Sequence, residues 1–114
     1  MVTWRVTKKG VNSKILYTMI SQFIEEGLVD VGVVWNSDIH RESFVELIEE
    51  WLEEHATAGK IEQWKVVCDN RNNKTKDMDD GFYMFEVYYK QSSCFNTTHI
   101  RYEVEERKKS AKRL

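Results

Sequence analysis

The chain has no proline among its 114 residues, only five glycines and two cysteines. Without proline there is no rigid linker, and no other shift in composition marks a boundary between two domains. Cys68 and Cys94 are too few and too far apart for a zinc motif or a disulfide framework, and read as a reduced pair. No apolar run approaches the roughly 20 residues that cross a bilayer. The N-terminus alternates polar and apolar residues, where a secretory signal would place a basic stretch before an apolar run. These features lead us to expect a soluble protein without membrane contact, intracellular or released by lysis.

Catalytic and metal-binding patterns are also missing. No glycine-rich phosphate loop is present. His40, His55 and His99 are not paired at ligand spacing, and none sits in a local nucleophile motif. His40 and His55 fall at opposite ends of one predicted helix, roughly 22 Å apart at 1.5 Å per residue, so they cannot share a metal. Asp77, Asp79 and Asp80 ahead of Gly81 hint at a calcium loop, but glycine belongs at the sixth position and Gly81 falls at the fifth. The sequons Asn73-Lys74-Thr75 and Asn96-Thr97-Thr98 have meaning only in a secreted chain. The expectation is no enzyme, no cofactor and no metal.

What is present is a packed core's worth of apolar residues, 41% of the chain, and an uneven charge. The 17 basic and 19 acidic residues nearly cancel, at −2. Five of the basic ones, Arg107, Lys108, Lys109, Lys112 and Arg113, fall in the last eight positions, which hold no acid. The rest carries 12 basic against 19 acidic residues, or −7. One acidic domain over residues 1–106 with a basic tail over 107–114 is the expected organisation. The tail could touch nucleic acid. An acidic body repels phosphates, however, and the aromatics fall on strand faces that read as core, so a tail that meets an acidic protein surface, or simply keeps the terminus solvated, fits better.

Val2, Trp4 and Val6 alternate with Thr3, Arg5 and Thr7, the period of a half-buried strand. After Gly10, Asn12 or Ser13 can cap a helix whose apolar residues fall in two rows, Ile15/Met19/Phe23 and Leu16/Ile20/Ile24, with Gly27 at its end. Val29, Val31, Val33 and Trp35 suggest a second strand, with Val34 making it apolar on both faces. Asn36-Ser37-Asp38 starts a second helix with Phe44, Leu47, Ile48, Trp51 and Leu52 on its core face. Six glutamates make its other side acidic, and Ala58-Gly59 closes it. Ile61–Cys68 reads as a strand with Trp64, Val66 and Cys68 on one side. Asp69–Gly81 reads as a long exposed loop. Phe82–Lys90 and Thr98–Glu105 are strands, with Tyr83, Phe85, Val87 and Tyr89, then Thr98, Ile100, Tyr102 and Val104, on one face. The predicted order is β-α-β-α-β-β-β. We expect an α+β fold in which two amphipathic helices pack on a mostly antiparallel four- to five-stranded sheet.

The alternating strands at the two ends of the chain are the features that best suit contact with other chains, because exposed sheet edges offer unpaired N–H and C=O groups. Completing the chain's own sheet is the alternative for both. Val2, Trp4, Val6, Ile100, Tyr102 and Val104, with the tail's Arg107, Lys108, Lys109, Lys112 and Arg113, are the candidate partner-binding residues.

From Asn36 onward the chain resembles the C-terminal domain of contractile-tail sheath proteins of phages. The matching residues are Asn36-Ser37-Asp38, Arg41, Phe44-Val45, Ile48-Glu49, Leu52, Gly59, Ile61, Trp64, Val66-Val67-Cys68-Asp69, Asn72-Asn73, Asp77 and the strand ending at Lys90. From Asn36 to the C-terminus the resemblance covers about two thirds of the chain, with the matching residues falling between positions 36 and 90. The most specific piece is the strand ending in Val-Cys-Asp with an Asn-Asn pair shortly after. Lys74-Thr75 and Gln91 stand where the family pattern has prolines, and the large preceding sheath domains are missing. The chain therefore looks like a stand-alone sheath-like module. The resemblance implies a domain without an active site, with terminal arms that add strands to neighbours and helices that face an inner tube. The expected function is a structural assembly protein of a phage or phage-like contractile tail, self-associating or bound to tail proteins in a virion assembled in the host cytoplasm. A small cytoplasmic adaptor and a nucleic-acid-binding accessory protein are the alternatives.

Overall fold

The computed structural model describes residues 2–31, 38–79 and 81–106. Within them the order is β1 (Val2–Lys9), α1 (Lys14–Val31), α2 (Asp38–Thr57), β2 (Ile61–Val67), α3 (Thr75–Asp79), β3 (Phe82–Gln91) and β4 (Thr97–Glu106). The strands form one antiparallel sheet in the order β1-β4-β3-β2. This is an α+β fold with four strands. β4 lies between β1, where Trp4 faces Val104, and β3, where Phe85 faces Tyr102.

The core forms where the helices cover one face of this sheet. Leu16, Ile20, Ile24 and Leu28 of α1 and Phe44, Ile48 and Leu52 of α2 meet Tyr83, Phe85, Val87, Tyr89, Ile100, Tyr102 and Val104. The strand residues are every second position, as a pleated sheet requires. Phe85 stacks on Tyr102 at 4.8 Å and meets the edge of Phe44 at 5.9 Å, both favoured ring geometries. Fully burying a side chain of this size contributes about 1.5–3 kcal/mol, so this layer dominates stability.

Several expectations are corrected by this arrangement. No strand occupies Val29–Val31. These residues form the last turn of α1, because the i, i+4 row continues from Ile24 to a fully buried Leu28. The rest of that expected strand, Val33 to Trp35, lies outside the described residues. Gly27 is not a helix end but an internal point of close approach. A Cβ there would fall 2.3 Å from Phe44 Cε1, so glycine lets α1 and α2 meet. Of the two apolar rows of α1, only the one starting at Leu16 is core. Ile15 is 78% exposed and Met19 is also exposed, while Phe23 turns sideways to stack on Trp51 at 4.6 Å. Leu47, expected inside, is 48% exposed on α2.

The caps follow the local chemistry. Ser13 Oγ accepts the Leu16 N–H at 3.4 Å, as an N-cap should. At the end of α2, Lys60 N–H reaches His55 C=O and Gly59 N–H reaches Ala56 C=O, with Gly59 at φ +79°. That is the glycine-terminated helix end that needs no Cβ. α2 begins at Asp38 as expected, with Asn36 and Ser37 outside the described residues.

Candidate functional site

The stretch most specific to the sheath resemblance, Val66 to Asn73, lies where β2 ends. β2 pairs with β3 up to Val67, which faces Glu86, and then stops. The segment after it is not the plain exposed loop expected from its polar composition. Asp69 caps its own turn by accepting the Arg71 N–H at 2.8 Å and holds the Arg71 guanidinium at 2.8 Å. That cation keeps the Asp69 carboxyl below its ordinary range. Asn72 and Asn73 both donate or accept within this turn, and the short α3 follows.

Asn73 is the tightest element of the turn and is only 8% exposed. Its Oδ1 accepts the Met84 N–H at 2.7 Å, and its Nδ2 donates to the Met84 C=O at 2.8 Å. One side-chain amide therefore satisfies both main-chain groups of a strand residue. The carboxamide is committed to Met84, so the Asn73-Lys74-Thr75 sequon is closed in the folded chain.

Asn72 ties the same turn to the second face of the sheet. Its Nδ2 donates to Val67 C=O at 2.9 Å and to Glu86 Oε1 at 3.2 Å. The Glu86 carboxylate, 8% exposed, also accepts the Tyr88 hydroxyl at 2.8 Å and meets His99 Nε2 at 2.6 Å. Tyr88 and His99 stack at 4.4 Å with nearly parallel planes, and Lys65 Nζ stands 4.7 Å from the Tyr88 ring centre. Burial pushes the Glu86 carboxyl up, but bonds from Tyr88, Asn72 and His99 and the charge of His99 outweigh it and hold the group below the carboxylate range. The Tyr88 hydroxyl is raised by burial and by its bond to that carboxylate. Sequence reasoning missed this network. Its only signal was a lone acid at position 86 between Phe85 and Val87.

On the helix side, a groove of about 530 Å³ runs beside the turn, lined by Arg41, Glu42, Glu46, Glu49, Cys68, Asn73 and Tyr83 among others. The Arg41 guanidinium lies 3.5 Å from the Tyr83 ring centre. Burial pushes the Cys68 thiol up to about 11, with Arg41 opposing and Asp69 adding, so it stays protonated at neutral pH. A protonated thiol is a poor nucleophile or metal ligand. Among the described residues no three His, Cys, Asp or Glu side chains gather in metal-binding geometry, and no helix is long and apolar enough to cross a membrane.

The candidate partner-binding residues separate into three groups. Ile100, Tyr102 and Val104 are fully buried in the chain's own core. Trp4 and Val6 are partly buried against it, and the Trp4 indole reaches Glu25 at 3.5 Å. β1 and β4 pair with each other within the chain from Val2↔Glu106 to Lys9↔His99, so their apolar faces complete this domain's own sheet. Val2 joins through its main chain. Arg107, Lys108, Lys109, Lys112 and Arg113 lie outside the described residues. No protein-family model, curated protein or solved structure matches the chain.

Proposed function

We propose that the chain is a structural assembly protein of a phage or phage-like contractile tail, and that it binds neighbouring protein subunits rather than a substrate. One observation carries this reading. The residues most specific to the sheath resemblance form a single connected unit, in which the end of β2 and the Asn72-Asn73 pair close on Val67, Met84 and Glu86. Residues that fit the family pattern and also depend on one another for the local fold support a shared architecture over a chance run of letters.

The sheet order supports an assembly role through its edges. Among the described residues, β1 and β2 each have one side without a partner strand. β1 keeps an unbroken register over eight residues, whereas β2 has a register shift between Ile61 and Gln63. A regular, proline-free edge is the better template for an added strand, and a bulge discourages one. Exchange fits the same geometry, since β1 of one copy on β4 of another would bury the same side chains in the same register.

Mass spectrometry of purified contractile particles tests this. The chain should be present in stoichiometric amount, and the isolated protein should form oligomers whose size rises with concentration in light scattering. A chain absent from such particles and strictly monomeric in solution overturns the proposal. Removing residues 107–114 should weaken association, and salt should do the same, because exposed charges are screened beyond about 8–10 Å near physiological ionic strength.

A further inference from the structure

On the face of the sheet away from the helices, one row of side chains crosses all four strands. Lys65 of β2 pairs with Tyr88 of β3, Tyr88 with His99 of β4, and His99 with Lys9 of β1. Directly paired residues share a face, so the row ends in a lysine on each side, roughly 14 Å apart over three strand spacings. Arg101 stands on the same face, two residues along β4 from His99. The acids near this row already have partners. Glu86 bonds Tyr88 and His99, Glu103 takes Arg5, and Glu62 takes Lys90. Among the described residues, Lys9, Lys65 and Arg101 make no ion pair.

The outer side of α2 is the complement. Glu42, Glu46, Glu49 and Glu53 are exposed, and among the described residues none of them makes an ion pair. At 3.6 residues per turn the four form one stripe, with Glu42 and Glu53 roughly 16 Å apart at its ends. The inner side of α2, through Phe44, Ile48 and Leu52, packs on the covered face of the sheet. The acidic stripe and the basic row therefore point to opposite sides of the molecule, and one chain cannot join them to each other. We propose that the open sheet face of one copy docks on the acidic stripe of α2 of a second copy, with Lys9 and Lys65 set on Glu42 and Glu53. The two surfaces carry unpaired charge of opposite sign at nearly the same spacing, and such complementarity fixes orientation and partner. The contact is heterologous, so every docked copy still offers one free sheet face or one free stripe, and the same step can repeat. It rests on the assembly reading above and names the surfaces that reading would use.

Sedimentation velocity of the full chain over a concentration series tests this with two double variants. Lys9→Ala with Lys65→Ala breaks the sheet row, and Glu42→Gln with Glu53→Gln breaks the stripe. All four side chains are exposed, so both variants should keep the wild-type circular dichroism spectrum. Each should raise the concentration needed for association roughly tenfold or more. Mixed together, they should form a one-to-one complex that grows no further, because one supplies an intact stripe and the other an intact row. Lys74→Ala with Lys76→Ala removes the same charge from a different surface and should associate like wild type. No complex on mixing, or an equal loss in the Lys74 and Lys76 control, overturns the proposal. So does association that depends on residues 107–114 and is unchanged in the Lys9 and Lys65 variant, which would make the basic tail the occupant of the stripe. In each of these cases a chain that still self-associates leaves the assembly reading standing. A wild-type chain that stays monomeric throughout overturns this contact, and its presence in or absence from purified particles then decides the assembly reading separately.

Discussion

On the helix-covered face of the sheet, Phe85, Val87, Ile100, Tyr102 and Val104 are fully buried among apolar neighbours from α1 and α2. On the other face, Glu86, Tyr88 and His99 each have an assigned partner at 2.6–2.8 Å, and Arg5 bridges Glu103 at 2.7 Å. The two faces belong to the same strands and alternate residue by residue. They differ in what holds them. Apolar burial is non-directional and scales with area, so the covered face should tolerate exchange of shapes at similar volume. The polar face depends on directed bonds, so losing one atom strands its partner.

The sharpest break of the covered face is Phe85→Ala. It removes a ring that touches both Phe44 and Tyr102 and should cost about 3–5 kcal/mol in denaturant unfolding. A cost below about 1 kcal/mol would mean that the ring is not a core contact. Gly27→Ala should follow at about 1–3 kcal/mol, because the added methyl meets the Phe44 ring and the helices must part or the ring must move. An unchanged or raised melting temperature, as a simple gain in helix propensity would give, would contradict the close approach.

The polar face is probed by Glu86→Gln, expected to cost about 1–3 kcal/mol at pH 7 because a charged acceptor is replaced and one bond must be re-formed. Its pH dependence is a separate check. The carboxyl is lowered in the folded chain relative to its ordinary value of 4.5, so its contribution is complete above that value and is lost as pH falls through the lowered one. The difference between wild type and Glu86→Gln should therefore shrink on acidification below about pH 4.5. A difference that stays flat down to pH 3 would show that the network does not hold the carboxylate. The smallest effect belongs to Arg5→Ala, at about 0.2–1 kcal/mol and fading with salt, because the Arg5 side chain is 78% exposed. A larger, salt-insensitive loss would mean that this end of β1 contributes more than an exposed pair can.

Much of the covered face was legible in advance. The alternation Tyr83/Phe85/Val87/Tyr89 and Thr98/Ile100/Tyr102/Val104 marks the buried side of two strands, and Phe44, Ile48 and Leu52 mark one side of a helix. Where two apolar rows competed on α1, the sequence could not choose between them. Ile15 and Leu16 are equally apolar, and only the position of the sheet decides that Leu16 faces it. Val29 and Val31 misled because two valines two apart suit a strand locally, while burial of Leu28 and contact of Gly27 with Phe44 extend the helix past them. The polar face was the least legible. Glu86, Asn72 and His99 lie up to 27 positions apart, and no local pattern announces that they meet.

Period and caps, which are local properties, determine from sequence alone that this chain is α+β, that its first helix starts after Asn12 or Ser13 and its second ends at Gly59, and that its body is acidic with basic residues at 107–113. Long-range pairing decided the rest. The folded chain paired its first strand with its last, buried Ile100, Tyr102 and Val104 in its own core, and set a side-chain amide on the edge of β3. These outcomes depend on which backbone groups remain unpaired once the sheet has formed. That is a property of the assembled sheet and of no single segment, because a main-chain donor finds its partner by distance in space and not by position in the chain.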